Sequence, residues 1–366
     1  MMRCQVDREV FAEILAAVAG AIPARTTYPV LQNILLEVTG GKFAVLATDA
    51  DNTVRKEFAL AGKSEDGQVL VPGRKLLETV RELGVADAEF RASERNLRIE
   101  TARSRVLMTG LDPAEYPEVP KLPEGAPIEL SIAAVLDLFD NAGFAASKDE
   151  ARPAMTGINW EIGKTEMRMV ATDGHRLSFV QTKARQAVSA KVLIPPKPFG
   201  LLPRGGDTVQ FYADPARVGL VTEDTVIISR QIEGPYPDYN RVIPKDKKLS
   251  RAVVEREPLT AALRRAAVFA HPVGRLAAFS FSKGKLNLHA ETPDVGSSDE
   301  DLAVEYEGKE MRIGFNASYV MEALRHISSA KVQLEVQGPL AAAVLRPVDE
   351  EGGIEKTYLL MPIRLD

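Results

Sequence analysis

The sequence predicts an α+β fold of three similar domains, each made of two halves in which a helix accompanies antiparallel strands. Three observations lead there. The chain has 366 residues, too many for one hydrophobic core. One order of helix signal, strands and turns recurs three times along it, and a shorter recurrence runs inside each copy.

In the first copy, Val10, Phe11, Ile14, Leu15, Val18 and Ile22 recur at helical spacing behind Asp7, a suitable N-cap. Strands follow in VLQNILLEVTGGKFAVLATDADNTVRKEF, joined by a turn at Gly40-Gly41-Lys42. In the second copy Ser131 caps a helix that buries Val135, Leu136 and Phe139, and Gly163-Lys164 marks the next turn. In the third, Pro258 suits a first helical turn ahead of Leu259, Leu263 and Val268, and Lys283-Gly284-Lys285 marks the turn. Ala47-Thr48-Asp49 and Ala171-Thr172-Asp173 stand at equivalent places, with Ala290-Glu291-Thr292 in the third copy. The second halves begin VLVPGRKLLETVREL, VLIPPKPFGLLPRGGD and MRIGFNASYVMEALRHI, each strand then helix, and continue as alternating strands. Proline-rich YPEVPKLPEGAP (116–127) and lysine-rich IPKDKKLSRAV (243–253) separate the copies, which places the domains at 1–120, 128–246 and 251–366.

Composition excludes several classes. With 45% apolar and 27% charged residues the chain reads as an ordinary globular protein. No apolar run approaches the roughly 18 residues of a membrane span, and MMRCQVDREVF has no secretory pattern; a cytoplasmic location is expected. The one cysteine, Cys4, supports neither an internal disulfide nor a cysteine-based zinc site. His175, His271, His289 and His326 lack metal-ligand spacing, and there is no P-loop, dinucleotide fingerprint or G-x-S-x-G elbow. No catalytic residue, metal or cofactor is expected. Carboxylate pairs such as Asp49/Asp51 and Asp299/Asp301 fit solvated acidic loops. Thr172-Asp173-Gly174-His175-Arg176 fits a tight turn ending a strand, with Asp and Gly supplying the geometry. The first copy keeps only its Thr-Asp.

ATDGHRL (171–177), EGPYPDYNRVIPK (233–245) and LLMPIRL (359–365) occur in this order on the triplicated chain. RTTYPVLQNILLEV (25–38), VPGRKLLE (71–78), GLDPAEYPEVP (110–120) and IGFNASYVMEAL (313–324) accompany them. On these residues the sequence resembles the β sliding clamps of bacterial DNA polymerase III from end to end. The resemblance implies the DNA clamp fold, closed into a ring as a head-to-tail homodimer, with helices lining the hole and sheets outside. It implies duplex DNA as a partner, held without sequence preference. It also implies a replicative polymerase catalytic subunit, a clamp loader, and other polymerases and repair proteins that dock clamp-binding peptides. The docking pocket carried over has a floor of Thr172, Gly174, His175, Arg176 and Leu177 with Met155 beside it. Pro237, Arg241 and Val242 form a wall, and Leu360, Met361, Pro362, Ile363 and Arg364 close it. Methionine and leucine suit a cleft serving several ligands, and Arg176 and Arg241 are expected to orient a peptide's polar atoms.

Geometry favours two copies. A domain of this length is roughly 35 Å across, so six in a ring enclose a hole of about one domain width, enough for a duplex on the order of 20 Å wide. The net charge of −5 runs against adhesion to DNA, but a ring holds DNA by topology. Arg25, Arg74, Lys75 and Lys197 are the expected DNA-facing cations, with Arg81, Arg264 and Arg325 further candidates, all contacting phosphate. Val106 and Met108 are expected to meet Val268 and Phe269 of the second copy, with Arg103 and Arg105 near Asp299-Glu300-Asp301.

Departures from the family pattern bear on these expectations. Pro153-Ala154 stands where an aromatic pair would touch DNA, the prolines of 195–203 should shorten one inner helix, and Asp366 extends the expected Arg-Leu ending. Two other classes remain open from sequence: an enzyme using the Asp173–Arg176 loop on a phosphorylated small molecule, and a scaffold that uses the peptide pocket without DNA.

Overall fold

The structure, a computed structural model, describes residues 2–84, 86–244, 249–349 and 353–365. Asp366 and the 245–248 part of the second expected boundary lie outside them.

The first copy runs β1 (Met2–Asp7), α1 (Arg8–Ala19), β2 (Asn33–Thr39), β3 (Lys42–Thr48), β4 (Asn52–Ala59), β5 (Gly67–Pro72), α2 (Gly73–Glu82), β6 (Asp87–Ser93), β7 (Asn96–Glu100) and β8 (Arg105–Thr109). The second runs β9 (Ile128–Ser131), α3 (Ile132–Ala142), α4 (Pro153–Thr156), β10 (Ile158–Ile162), β11 (Glu166–Thr172), β12 (Arg176–Lys183), β13 (Ala190–Ile194), α5 (Lys197–Leu201), β14 (Thr208–Ala213), β15 (Arg217–Val221) and β16 (Thr225–Arg230). The third runs β17 (Ser250–Glu255), α6 (Arg256–Phe269), β18 (Leu276–Ser282), β19 (Lys285–Thr292), β20 (Gly296–Ala303), β21 (Glu305–Glu307), β22 (Met311–Asn316), α7 (Ala317–Arg325), β23 (Lys331–Val336), β24 (Ala343–Val348) and β25 (Ile354–Leu360). Apart from the short α4 and β21, each copy reads strand, helix, three strands, strand, helix, three strands.

Local chemistry explains these elements. Asp7 caps α1 by accepting from the Val10 amide at 2.9 Å, and Asn316 caps α7 the same way. Phe11, Ile14, Leu15 and Val18 turn inward from α1, where Phe11 stacks on Phe43 and meets Phe90 edge-on. Val10, expected on that face, is 45% exposed, and Val268, expected on the buried face of α6, is 73% exposed. The prolines have the expected effect: α5 has five residues where its counterpart α2 has ten.

The chain forms two compact units, Met1–Leu136 with Ile194–Gln231, and Asp137–Leu193 with Ile232–Asp366. Sheet continuity explains why the middle copy is shared between them. In the first unit, β5-β2-β3-β4 joins β16-β15-β14-β9 into one eight-stranded sheet through antiparallel β4 and β16. In the second, β13-β10-β11-β12 joins β25-β24-β23-β17-β21 through β12 and β25. Each unit also holds a four-stranded sheet, β1-β6-β7-β8 in the first and β20-β19-β18-β22 in the second.

Close approaches between backbones lock the first unit. A Cβ built on Gly110 would lie 1.8 Å from the Leu70 carbonyl oxygen, beside the bridge from Leu111 to Leu70. Gly110→Ala is therefore expected to destabilise this unit by about 3 kcal/mol or more. Gly84, whose Cβ would meet nothing, supplies the control. Denaturation midpoints of the two alanine variants check this, and equal midpoints would count against it.

Candidate functional site

The strands β3 and β11 end in the same turn. Asp49 accepts from the Asp51 and Asn52 amides, and Asp173 accepts from those of His175 and Arg176, both at 2.9 Å. Thr48 and Thr172 each donate a hydroxyl to the carbonyl four residues on. The residue after the aspartate needs a positive φ, +83° at Ala50 and +89° at Gly174, which glycine adopts without strain. The Thr-Asp pair is thus architectural, as its presence in both copies suggested.

Around the second of these turns lies an apolar cavity of about 200 Å³ within the second unit. Met155 on α4, Thr172 and Gly174 in the turn, and Arg176 and Leu177 at the start of β12 form one side. Pro237, Asp238, Tyr239 and Val242 form another, and Leu359 and Met361 at the end of β25 complete it. Behind it, Val170, Leu177, Tyr239, Val344 and Leu359 pack as one cluster. Tyr239 donates to Glu161 at 3.1 Å and Tyr236 to the Val170 carbonyl at 3.3 Å, while burial pushes the Tyr236 hydroxyl well above its usual range. The rim stays open: Val242 is 46% and Met361 42% exposed. The cavity lies below the roughly 300–1,000 Å³ of sites that engulf small ligands. It suits one or two apolar side chains of an extended peptide.

Sequence reasoning placed eight of these residues here and missed Asp238, Tyr239 and Leu359. Leu360, expected at the cavity, points into the opposite core with Tyr358, because successive strand residues face opposite ways. Arg241 is exposed and paired with Asp238 at 2.9 Å. The His175 side chain is exposed and its carbonyl accepts from the Met361 amide at 2.9 Å. Ile363 bridges to Gly314, and Pro362 and Arg364 flank it outside the cavity lining.

Of the expected DNA-facing cations, Arg25, Arg74, Arg81, Arg264 and Arg325 are exposed. Lys75 pairs with Glu78 at 2.8 Å. Lys197 is committed within the fold: it bonds Asp49 at 2.6 Å and the Ala21 carbonyl at 3.1 Å, at the end of α1 where carbonyls favour a cation. Gly73, next to Arg74, packs so closely on the side chain of Ile22, three residues before Arg25, that a Cβ would lie 2.5 Å from it. Tyr28, 68% exposed in the same loop as Arg25, was not singled out from sequence.

Both terminal strands expected at the dimer contact are sheet edges. On β8, Val106 and Met108 are half-buried over Ile99 and Leu97, while Leu107 is 61% exposed. Arg103 and Arg105 are exposed. Near β20, Val268 is exposed and the Phe269 ring lies about 3.3 Å from where a Cβ on Gly296 would sit. The acids of β20 already have partners in their own unit: Asp299 with His289, Glu300 with Arg265, Asp301 with Lys285.

Burial pushes the Cys4 thiol up to about 12, so it stays protonated at neutral pH. Among the described residues no cluster could hold a metal ion and no helix is long and apolar enough to cross a membrane.

Six half-domains of one helix and one antiparallel sheet, four of them joined edge to edge through their third strands and two left with a free edge, define a DNA clamp. Models of the N-terminal, central and C-terminal domains of DNA polymerase III beta subunit match residues 2–120, 129–238 and 240–364. The chain is 29% identical to the beta sliding clamp of Pseudomonas putida over the full length of both. Its fold superposes on the Pseudomonas aeruginosa sliding clamp bound to griselimycin with a TM-score of 0.92 at 28% identity, covering all of both chains. The Thermotoga maritima beta subunit gives 0.94 at 26%, again over all of both chains. The chain belongs to the DNA polymerase III beta subunit family, the sliding clamps, which act as non-catalytic processivity factors for that polymerase.

Proposed function

We propose that two copies of the chain close head to tail into a ring around duplex DNA, with the three sequence repeats 1–120, 128–246 and 251–366 as its domains. One observation carries this reading. Within the chain, the third strand of one repeat's first half pairs with the third strand of the next repeat's second half, β4 with β16 and β12 with β25. The same rule leaves β20 and β8 as the one unpaired combination. Joining β20 of one copy to β8 of the other would complete a third kind of continuous sheet, and doing so twice closes the ring. The edges are complementary, with Arg103 and Arg105 against an acidic strand. Those acids already hold partners, so exposed charge adds about 1 kcal/mol or less. Apolar contact through Val268, Phe269 and Leu107, with Val106 and Met108, supplies the affinity.

Arg25, Arg74 and Arg81 are the cations best supported for phosphate contact, with Arg264 and Arg325 as further candidates; Lys75 and Lys197 are already paired with Glu78 and Asp49. The cavity around Leu177, Val242 and Met361 would seat peptides of the polymerase catalytic subunit, the clamp loader, and other polymerases and repair proteins. The work so described takes place in the cytoplasm, where bacterial DNA is copied.

Topology predicts an unusual salt response. Phosphate contacts weaken steeply with salt, whereas a closed ring leaves only by opening or by running off an end. After loading by a cognate clamp loader, the protein should remain on nicked circular DNA at about 1 M salt, where screening is nearly complete, and leave once the circle is cut. Loss from both forms, or retention on both, would overturn the ring and favour a scaffold that uses the peptide cavity alone.

A further inference from the structure

We infer that Arg176 shapes the peptide cavity from behind: it is a positioning residue that holds the Thr172–Arg176 turn against α7, and its charge is not offered to the peptide. This deepens the docking role proposed above and rests on it. Only 11% of the Arg176 side chain is exposed, so its cation must be satisfied by the protein. Nε donates to Asp173 Oδ2 at 3.1 Å, Nη1 to Glu322 Oε2 on α7 at 2.6 Å, and Nη2 to the Phe144 carbonyl at 2.8 Å. The guanidinium lies over two rings, 4.5 Å from the centroid of Tyr319 and 5.3 Å from that of Phe144.

One planar group therefore ties together the turn at the cavity floor, α7, and the 3-10 turn Gly143–Ala145 that follows α3. Phe144 is itself stacked on His326, at the end of α7, at 4.2 Å. Arg176 thus lines the cavity while its guanidinium is held by groups of the protein. The held turn also places the rim, since the His175 carbonyl accepts from the Met361 amide. Loosening the guanidinium frees floor and rim together, and a cavity that must be ordered on binding binds less tightly.

Glu322 separates this role from direct recognition, because it does not line the cavity. The test uses the full chain, a labelled five-residue peptide ending in two apolar side chains, the chemistry the cavity suits, and anisotropy to measure Kd. Arg176→Ala and Glu322→Ala should each weaken binding about tenfold. The double variant should be no worse than the weaker single, since the two act as one unit. Arg176→Lys should not rescue, because an ammonium cannot span three acceptors in one plane. Glu322→Gln, which keeps an acceptor and guards against misfolding, should fall between Glu322→Ala and the unaltered chain. Wild-type affinity in Glu322→Ala with loss in Arg176→Ala would show a direct peptide contact and overturn the inference. So would additive losses, or lowered melting temperatures with unchanged Kd. Failure of the unaltered chain to bind the peptide would instead remove the docking role itself, and this inference with it.

Discussion

Phe269→Asp is expected to elute from a sizing column as a single copy of 39.9 kDa, and the unaltered chain, on the proposed ring, at twice that mass. Phe269 ends α6, and its carbonyl accepts from Thr292 at 2.7 Å, which fixes the ring beside the first residue of the edge strand β20. Closing β20 against β8 of a second copy would bury that ring, and a carboxylate there would be desolvated without a partner, at a cost of several kcal/mol. The neighbouring Val268, 73% exposed in the single chain, gives a variant that does not disturb folding. Val268→Asp should also shift the protein to monomer while keeping its melting temperature, and Leu107→Asp should do the same from the other edge. Lys285→Glu should have little effect, because an exposed pair contributes about 1 kcal/mol or less. Dimeric elution of all three aspartate variants would remove β8 and β20 from the interface.

Much of this architecture is legible in the sequence because repetition is a long-range signal carried by local patterns. Thr48, Thr172 and Thr292 each close the middle strand of a hairpin pair, as their spacing suggests. Caps such as Asp7 and chain breakers such as the prolines before α5 act within a few residues and read equally well. What sequence does not carry is which edge meets which: the pairing of β4 with β16 spans some 170 residues, and no periodicity announces it. The cavity shows the same division. Its motifs could be gathered by resemblance, but choosing between Leu359 and Leu360 needs the strand's facing, and a one-residue error sends a side chain into the opposite core. Basic residues mislead for another reason. Arg176 and Lys197 look like free cations in a string of letters, and only the fold reveals that Glu322, Asp49 and nearby carbonyls already use them.

Met361→Asp is expected to abolish peptide docking while leaving the protein's hold on circular DNA intact. Met361 follows β25 on the rim of the cavity, half-open to solvent, so aspartate there is hydrated in the empty protein and should not harm folding. An incoming apolar side chain would lose a contact that contributes about 1.5–3 kcal/mol and would strip water from the new carboxylate. Together these predict a fall in peptide affinity on the order of a hundredfold or more. Retention on nicked circles should depend on different strands: the proposed closure uses the edges β8 and β20, whereas Met361 and Leu177 sit at the ends of β25 and β12, which are already paired inside one chain. Measuring anisotropy with the labelled peptide and high-salt retention on the same preparation separates the two functions. If the aspartate variant lost its grip on circles as well, peptide docking and ring closure would share a structural element, and the independence of cavity and edge would be wrong.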